Sequence, residues 1–198
     1  MTAIYKTREE WLTESVKAMA FLLEQNGTQL PEKWAISVGF PKGGFKNLPA
    51  IGECWDPEVS PDGVTNMFIS PILSDRIQIL ATTLHEMIHA AVGLKEKHAG
   101  EFRRVARAVG LKGKLTATYA EDGTDLHQTL SKIDMSLGDY PGTPMAPRKT
   151  PKKQGWFLVK LVSPNDPTYK FTIAPRLIEE FGMPKDYLGD EMVPVEQD

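Results

Sequence analysis

Leu84-His85-Glu86-Met87-Ile88-His89-Ala90-Ala91-Val92 is the stretch on which the reading of this chain turns. An α-helix turns once in about 3.6 residues. His85 and His89, four apart, therefore project from one face with their imidazoles close enough to share a cation, and Glu86 stands beside them. This His-Glu-x-x-His spacing is the arrangement of zinc hydrolases. Neutral imidazole is a good zinc ligand, and water bound to the ion drops to a pKa of about 7, where a carboxylate can take its proton. Glu86 is expected to be the base and not a ligand.

The surroundings favour a metal helix over a chance pentapeptide. From Ile77 onward, Ile77, Leu80, Ala81, Leu84, Ile88, Ala91 and Val92 recur at helical spacing, on a different side from the two histidines. Ser74 and Asp75 can cap the start, and Gly93 with Lys95 and Lys97 reads as a stop. The plainer alternative is a pair of hydrogen-bonded core histidines beside an exposed glutamate; it leaves the matched features on one capped helix without a reason.

A catalytic zinc takes three protein ligands and keeps one position open. His98 follows the helix after a short loop and opens a second helical stretch, from His98 to Val109, so it is expected to be the third ligand. A metzincin would place that histidine at position 95, which is Lys95. Glutamates offered by the next helix, Glu101 first and Glu96 second, are the competitors.

Length and composition set the frame. The 198 residues suit one medium domain and a small module, and 41% apolar residues can bury a core. One cysteine, Cys54, allows no internal disulfide and no paired-cysteine zinc site, so a metal must be held by histidine and carboxylate. Cys54 itself reads as a small buried hydrophobe. A reducing compartment, the cytoplasm, is the expected location; Met1 to Glu10 carries no apolar signal region and no run is long enough to span a membrane. A net charge of -3 with a pI near 5.9 argues against coating nucleic acid by bulk electrostatics. Local basic patches exist at Arg148, Lys149, Lys152 and Lys153, and at Arg103, Arg104 and Arg107, where solvated surface is as good an account as phosphate binding.

In chain order, Thr7 to Gln25 reads as a helix with an apolar stripe from Trp11 to Leu23, ended by Asn26-Gly27. Trp34 to Gly39, Ala50 to Trp55 and Met67 to Ser70 read as short strands of a small antiparallel sheet, with Met67 to Ser70 the edge that would receive an extended peptide. After the metal helix, Asp125 to Leu137 reads as a helix bearing His127, and Tyr119 before it could stabilise an oxyanion if the chain returns to the cleft. Asp139 to Gly155, with four prolines, reads as a semi-extended linker. Beyond it, Trp156 to Val162 and Tyr169 to Ile173 form a hairpin through Ser163-Pro164-Asn165-Asp166, followed by a short helix, Arg176 to Phe181, and a last strand, Met192 to Val195. The expected domains are thus residues 1-138, a linker over 139-154 and a β-rich module over 155-198.

These residues resemble the SprT-like zinc metallopeptidases, the group that includes the DNA-protein crosslink protease Spartan. The likeness rests on His85-Glu86-Met87-Ile88-His89-Ala90, on His98-Ala99-Gly100-Glu101-Phe102 and on the preceding helix and sheet, and it covers about the first two-thirds of the chain. Short phage and bacterial members look most similar, through Ile36 to Pro41, Ile51 to Pro57 and Phe68 to Ser74. The resemblance implies an α+β zincin-like core and one catalytic Zn2+ on His85, His89 and His98. It also implies Glu86 as catalytic base, a protein or peptide substrate, DNA-bound proteins among them, and for a phage protein the host cytoplasm. The C-terminal module resembles in outline the zinc ribbon of such relatives with its cysteines missing: Ser163, Asp166 and Asp186 stand near the two turns. Without thiolates it is not expected to hold zinc, and packing by Trp156, Phe157, Tyr169 and Phe171 is expected to replace the metal. Any DNA contact there would be weak. The second functional expectation, from another class, is a non-catalytic zinc-containing module that docks on nucleic acid or a DNA-bound partner.

Overall fold

The computed structural model describes residues 4–41, 50–95, 97–145 and 158–195. It is a mixed α+β chain whose backbone falls into two compact units, Met1–Arg148 and Lys149–Asp198.

In the first unit, α1 (Arg8–Glu24) begins with a reciprocal cap. Thr7 Oγ1 accepts from the Glu10 N–H at 3.1 Å, and the Glu10 carboxylate accepts from the N–H groups of Thr7 and Lys6. That exchange satisfies donors the helix cannot pair internally. Trp11, Leu12, Val16, Met19 and Leu23, spaced as one helical stripe, are fully buried.

The sheet differs from the expected antiparallel meander. Strands β1 (Trp34–Val38), β2 (Gly52–Trp55) and β3 (Thr65–Ile69) lie in the order β1-β3-β2, with β1 parallel and β2 antiparallel to β3. The strand expected at the edge is therefore the central one. Its inward residues Met67 and Ile69 are fully buried while the alternate positions are not, and hydrogen bonding on both flanks leaves it no free edge. The edges are β1 and β2.

Helix α2 (Arg76–Val92) carries the histidine pair. Asp75 caps it, its carboxylate accepting from the Gln78 N–H at 2.6 Å, and Gly93, at φ 83, ends it in a left-handed conformation that side chains disfavour. Ile79, Leu80, Leu84, Met87 and Ile88 are all fully buried, which is more than one apolar stripe. The reason is tertiary: α2 packs against β2 and β3 on one side and against α1, α3 (Gly100–Ala108) and α4 (Asp125–Leu137) on others. Helix α3 starts two residues later than expected, which leaves His98 in the preceding turn. Between α3 and α4 the chain forms a hairpin the sequence did not announce, β4 (Lys112–Lys114) and β5 (Ala117–Tyr119).

Residues 139 to 145, expected to begin a loosely packed linker, are pinned to this unit. Arg8 donates to the carbonyls of Pro141, Pro71 and Thr143. Arg76 pairs with Asp134 at 2.9 Å and with Asp139 at 2.5 Å, and the Tyr140 ring meets Trp11 edge-on at 5.0 Å. The rest of the linker, with its basic cluster and with Trp156 and Phe157, lies outside the described residues.

In the second unit, β6 (Val159–Val162) pairs antiparallel with β7 (Lys170–Ile173) and β8 (Val193–Pro194), and α5 (Pro175–Phe181) follows the hairpin. Tyr169 and Phe171 are part-exposed, 40% and 37%, and the buried apolar residues among those described here are Leu161 and Met192. The turns are joined instead by hydrogen bonds. Asp186 accepts from Ser163 Oγ at 2.6 Å, from Asn165 Nδ2 at 3.1 Å and from the N–H groups of Leu188 and Asp190. Ser163 Oγ accepts in turn from the N–H groups of Asn165 and Asp166. The Ser163 hydroxyl, first among these donors, holds the Asp186 carboxyl down at about 2.

Two outcomes follow. Asp75→Ala should cost about 1 kcal/mol of stability and Asp75→Ser much less, read by urea denaturation. Asp186→Ala should speed hydrogen exchange at the Leu188 and Asp190 amides without touching exchange in α2; unchanged exchange at those amides would remove the hydrogen-bonded knot as the module's tie.

Candidate metal centre

Four segments converge on one cleft of about 350 Å³. Its walls are β2 with the preceding Ala50 and Ile51, the His85–His89 face of α2, the turn around Leu94, Lys97 and His98, and Thr116 to Thr118 at β5. Helix spacing sets His85 and His89 side by side, ring centroids 5.0 Å apart. The chain then reverses after Gly93: Lys97 takes a left-handed φ of 53, with its N–H on the Leu94 carbonyl, and this turn carries the His98 ring back over α2.

His98 Nε2 lies 3.3 Å from His85 Nε2 and 3.1 Å from His89 Nε2. A tetrahedral ion with metal–nitrogen bonds of about 2.0–2.1 Å separates its ligand nitrogens by roughly 3.3–3.4 Å. A neutral imidazole nitrogen donates or accepts a single hydrogen bond, so His98 Nε2 can satisfy one of the two short contacts and not both, whereas a cation among the three nitrogens would satisfy all of them. The three nitrogens form a group that could hold a metal ion. Burial, with His98 nearby, pushes His85 down to about 4, and burial, with both neighbouring histidines, pushes His89 down to about 3; burial lowers His98 as well. All three rings are thereby kept neutral, the form that ligates. Phe102 of α3, fully buried, floors the cluster: it stacks on His89 at 4.2 Å and meets His85 and His98 at 4.9 and 5.0 Å.

Glu86, only 4% exposed, lines the same cleft. Burial first, and the charge of Glu53 second, push its carboxyl up to about 8. Strand β2 crosses so close that a Cβ at Gly52 would collide with the Glu86 carboxylate and come within 2.8 Å of Thr82 Cγ2, so glycine there makes room for the acid. Cys54 also lines the cleft, a location its sequence gave no sign of. Burial, followed by the charges of Glu86 and Asp56, raises its thiol to about 12, which keeps it protonated and a poor nucleophile.

The other candidates fall elsewhere. Glu101 is exposed on α3 and bonds Arg104 at 2.8 Å; Glu96 lies outside the described residues. Of the basic trio on α3, Arg104 pairs with Glu101 and Asn26 O, and Arg107 donates to the carbonyls of Leu111 and Gly113. The chain does return to the cleft at β5, through Thr118 and not Tyr119; Tyr119 lines a different hollow, with Asp122 and His127. His127 Nδ1 lies 3.5 Å from Asp122. Sequence reasoning missed Gly52, Phe102 and Thr118, and only Phe102, one helical turn after His98, had a readable signal. No helix among the described residues is long and apolar enough to cross a membrane.

Comparison of the chain with protein-family models, with curated proteins and with solved structures finds no match.

The raised carboxyl gives a pH test on the metal-free protein. Between pH 4.5 and about 8 an unfolded chain ionises Glu86 while the folded one keeps it protonated, so this group's contribution to stability falls as pH rises through that window. The depressed histidines act oppositely, losing stability as pH falls from 6.5 toward about 3 to 4, and do so in wild type and Glu86→Gln alike. The urea stability of Glu86→Gln relative to wild type should therefore rise from pH 5 to pH 8, by up to about tenfold in the folding equilibrium per pH unit. A constant difference would contradict the raised carboxyl.

Proposed function

We propose that this chain is a zinc-dependent endopeptidase with a zincin-like core, of the SprT-like kind. The convergence of three neutral imidazole nitrogens beside a buried carboxylate on the same helix is what supports this most. Three histidines at these separations suit zinc, which favours imidazole in tetrahedral sites and leaves a fourth position for water or substrate. His85, His89 and His98 would hold the ion. Bound there, zinc would acidify water and polarise a peptide carbonyl.

The chain's own residues supply the rest. Glu86 takes the proton of the attacking water on its carboxylate and passes it to the leaving amide nitrogen, so one group serves as base and then as acid. Its enclosure raises its proton affinity toward what that double duty requires, and a cation next to it would draw the value back down. Strand β2, an edge strand of the described sheet, lines the cleft on the Glu86 side, where an extended substrate could pair with it. Backbone pairing of that type recognises main chain more than side chains and suits a broad range of protein substrates. Proteins bound to DNA are the substrate class that the resemblance implies.

The test is cleavage of an unstructured general protein and of a DNA-binding protein by zinc-loaded wild type and Glu86→Gln, with and without single- or double-stranded DNA. Wild type should cleave. Glu86→Gln should keep its zinc and lose turnover by about 10²–10⁴-fold, and His98→Ala should lose most of its zinc affinity. Stimulation by DNA would assign DNA-bound substrates. Zinc-loaded wild type that cleaves nothing, yet binds DNA tightly, would replace the peptidase with a docking module.

A further inference from the structure

The hairpin of β4 and β5 supplies neither a ligand nor the base, yet its residue Thr118 places Oγ1 2.8 Å from His85 Nδ1. The other ring nitrogen, Nε2, is the one aimed at His98. A neutral imidazole carries a single ring proton, so for Nε2 to present its lone pair to an ion that proton must sit on Nδ1. An N–H enclosed at the cleft wall needs an acceptor, and a threonine hydroxyl oxygen can be one. The His89 ring, by contrast, has a buried Nδ1 with no hydrogen-bond partner among the described residues. Packing between Phe102 and its neighbours positions that ring, whereas His85 is additionally fixed by a hydrogen bond.

We propose that Thr118 is a positioning residue of the metal centre: its hydroxyl oxygen accepts a hydrogen bond from His85 Nδ1–H, which keeps the ring proton on Nδ1 and leaves the Nε2 lone pair directed into the cleft. The proposal rests on the metalloenzyme reading above. The hairpin is built to keep this contact in place. Thr118 stands opposite Gly113, whose φ of 83 and lack of a side chain let the Tyr119 ring and the Ala117 carbonyl approach; a Cβ there would lie 2.7 and 2.9 Å from them. Arg107 of α3 ties down the hairpin's first strand through the carbonyls of Leu111 and Gly113. The helix that follows the His98 turn thus also anchors the hairpin whose second strand orients His85.

The experiment measures zinc affinity of the full chain by competition with a chromophoric chelator, for wild type, Thr118→Val, Thr118→Ser and His89→Ala, together with urea unfolding of each in the metal-free state. Thr118→Val keeps the shape and removes the acceptor, so it should bind zinc about 10–100-fold more weakly. Thr118→Ser, which keeps the hydroxyl, should restore affinity to near that of wild type, and the metal-free unfolding midpoints of the three should coincide. Wild-type affinity in Thr118→Val, a serine variant as weak as the valine one, or a metal-free fold that loosens in parallel with affinity would each overturn the proposal. If wild type binds zinc and His89→Ala does not, any of these results removes the role of Thr118 alone. Absence of zinc binding by wild type removes the metal centre with it.

Discussion

Burial of α2 on nearly every side is the constraint on which the first unit depends. A helix packed at once against a sheet and three other helices has to bury most of its length, and this one encloses Thr82, Thr83, Glu86 and His89 along with its apolar residues. Placing titratable groups on such a helix costs desolvation, and the cost appears as histidines held neutral and a carboxyl held protonated in the absence of a cation. A bound cation would offset that cost, which is why the same enclosure that penalises the metal-free state favours ligation.

The centre is assembled from parts far apart in the chain. Two of the clustered imidazoles come from one turn of α2, the third from a turn whose backbone passes through a left-handed residue, and the aromatic floor from α3. Gly52 on β2 leaves space for the Glu86 carboxylate, and Thr118 on β5 reaches the back of the His85 ring. The two strands that do this wall the same cleft, so packing of the strands on α2 and the geometry of the centre are one problem.

The second unit solves a different problem with little apolar material. Leu161 and Met192 alone are fully enclosed there among its described large apolar residues, and a small unit of that kind needs a further tie. Where a pair of knuckles could be drawn together by a metal, this chain has an aspartate at the second turn and a serine and an asparagine at the first, linked by direct hydrogen bonds. The charge on Asp186 strengthens those bonds, since a carboxylate is the better acceptor.

The sequence by itself determined the elements whose signals are local. The Thr7 cap, the Asp75 cap, the Gly93 stop and the 3.6-residue repeat are written within a few residues each, and the helices over Arg8–Glu24, Arg76–Val92 and Asp125–Leu137 follow them closely. The four-residue spacing of His85 and His89 placed two imidazoles on one face for the same reason. Only the tertiary structure decided which strand sits in the middle of the sheet, because three short runs of similar composition carry no record of their pairing order or direction. It alone brought His98 to the pair, ahead of Glu101, since the choice depends on a backbone reversal at Lys97 and not on helical spacing. Thr118 and Gly52, at 33 residues' distance on either side of His85, were illegible for the most general reason: what a side chain does at long sequence separation is fixed by packing, and packing has no local pattern.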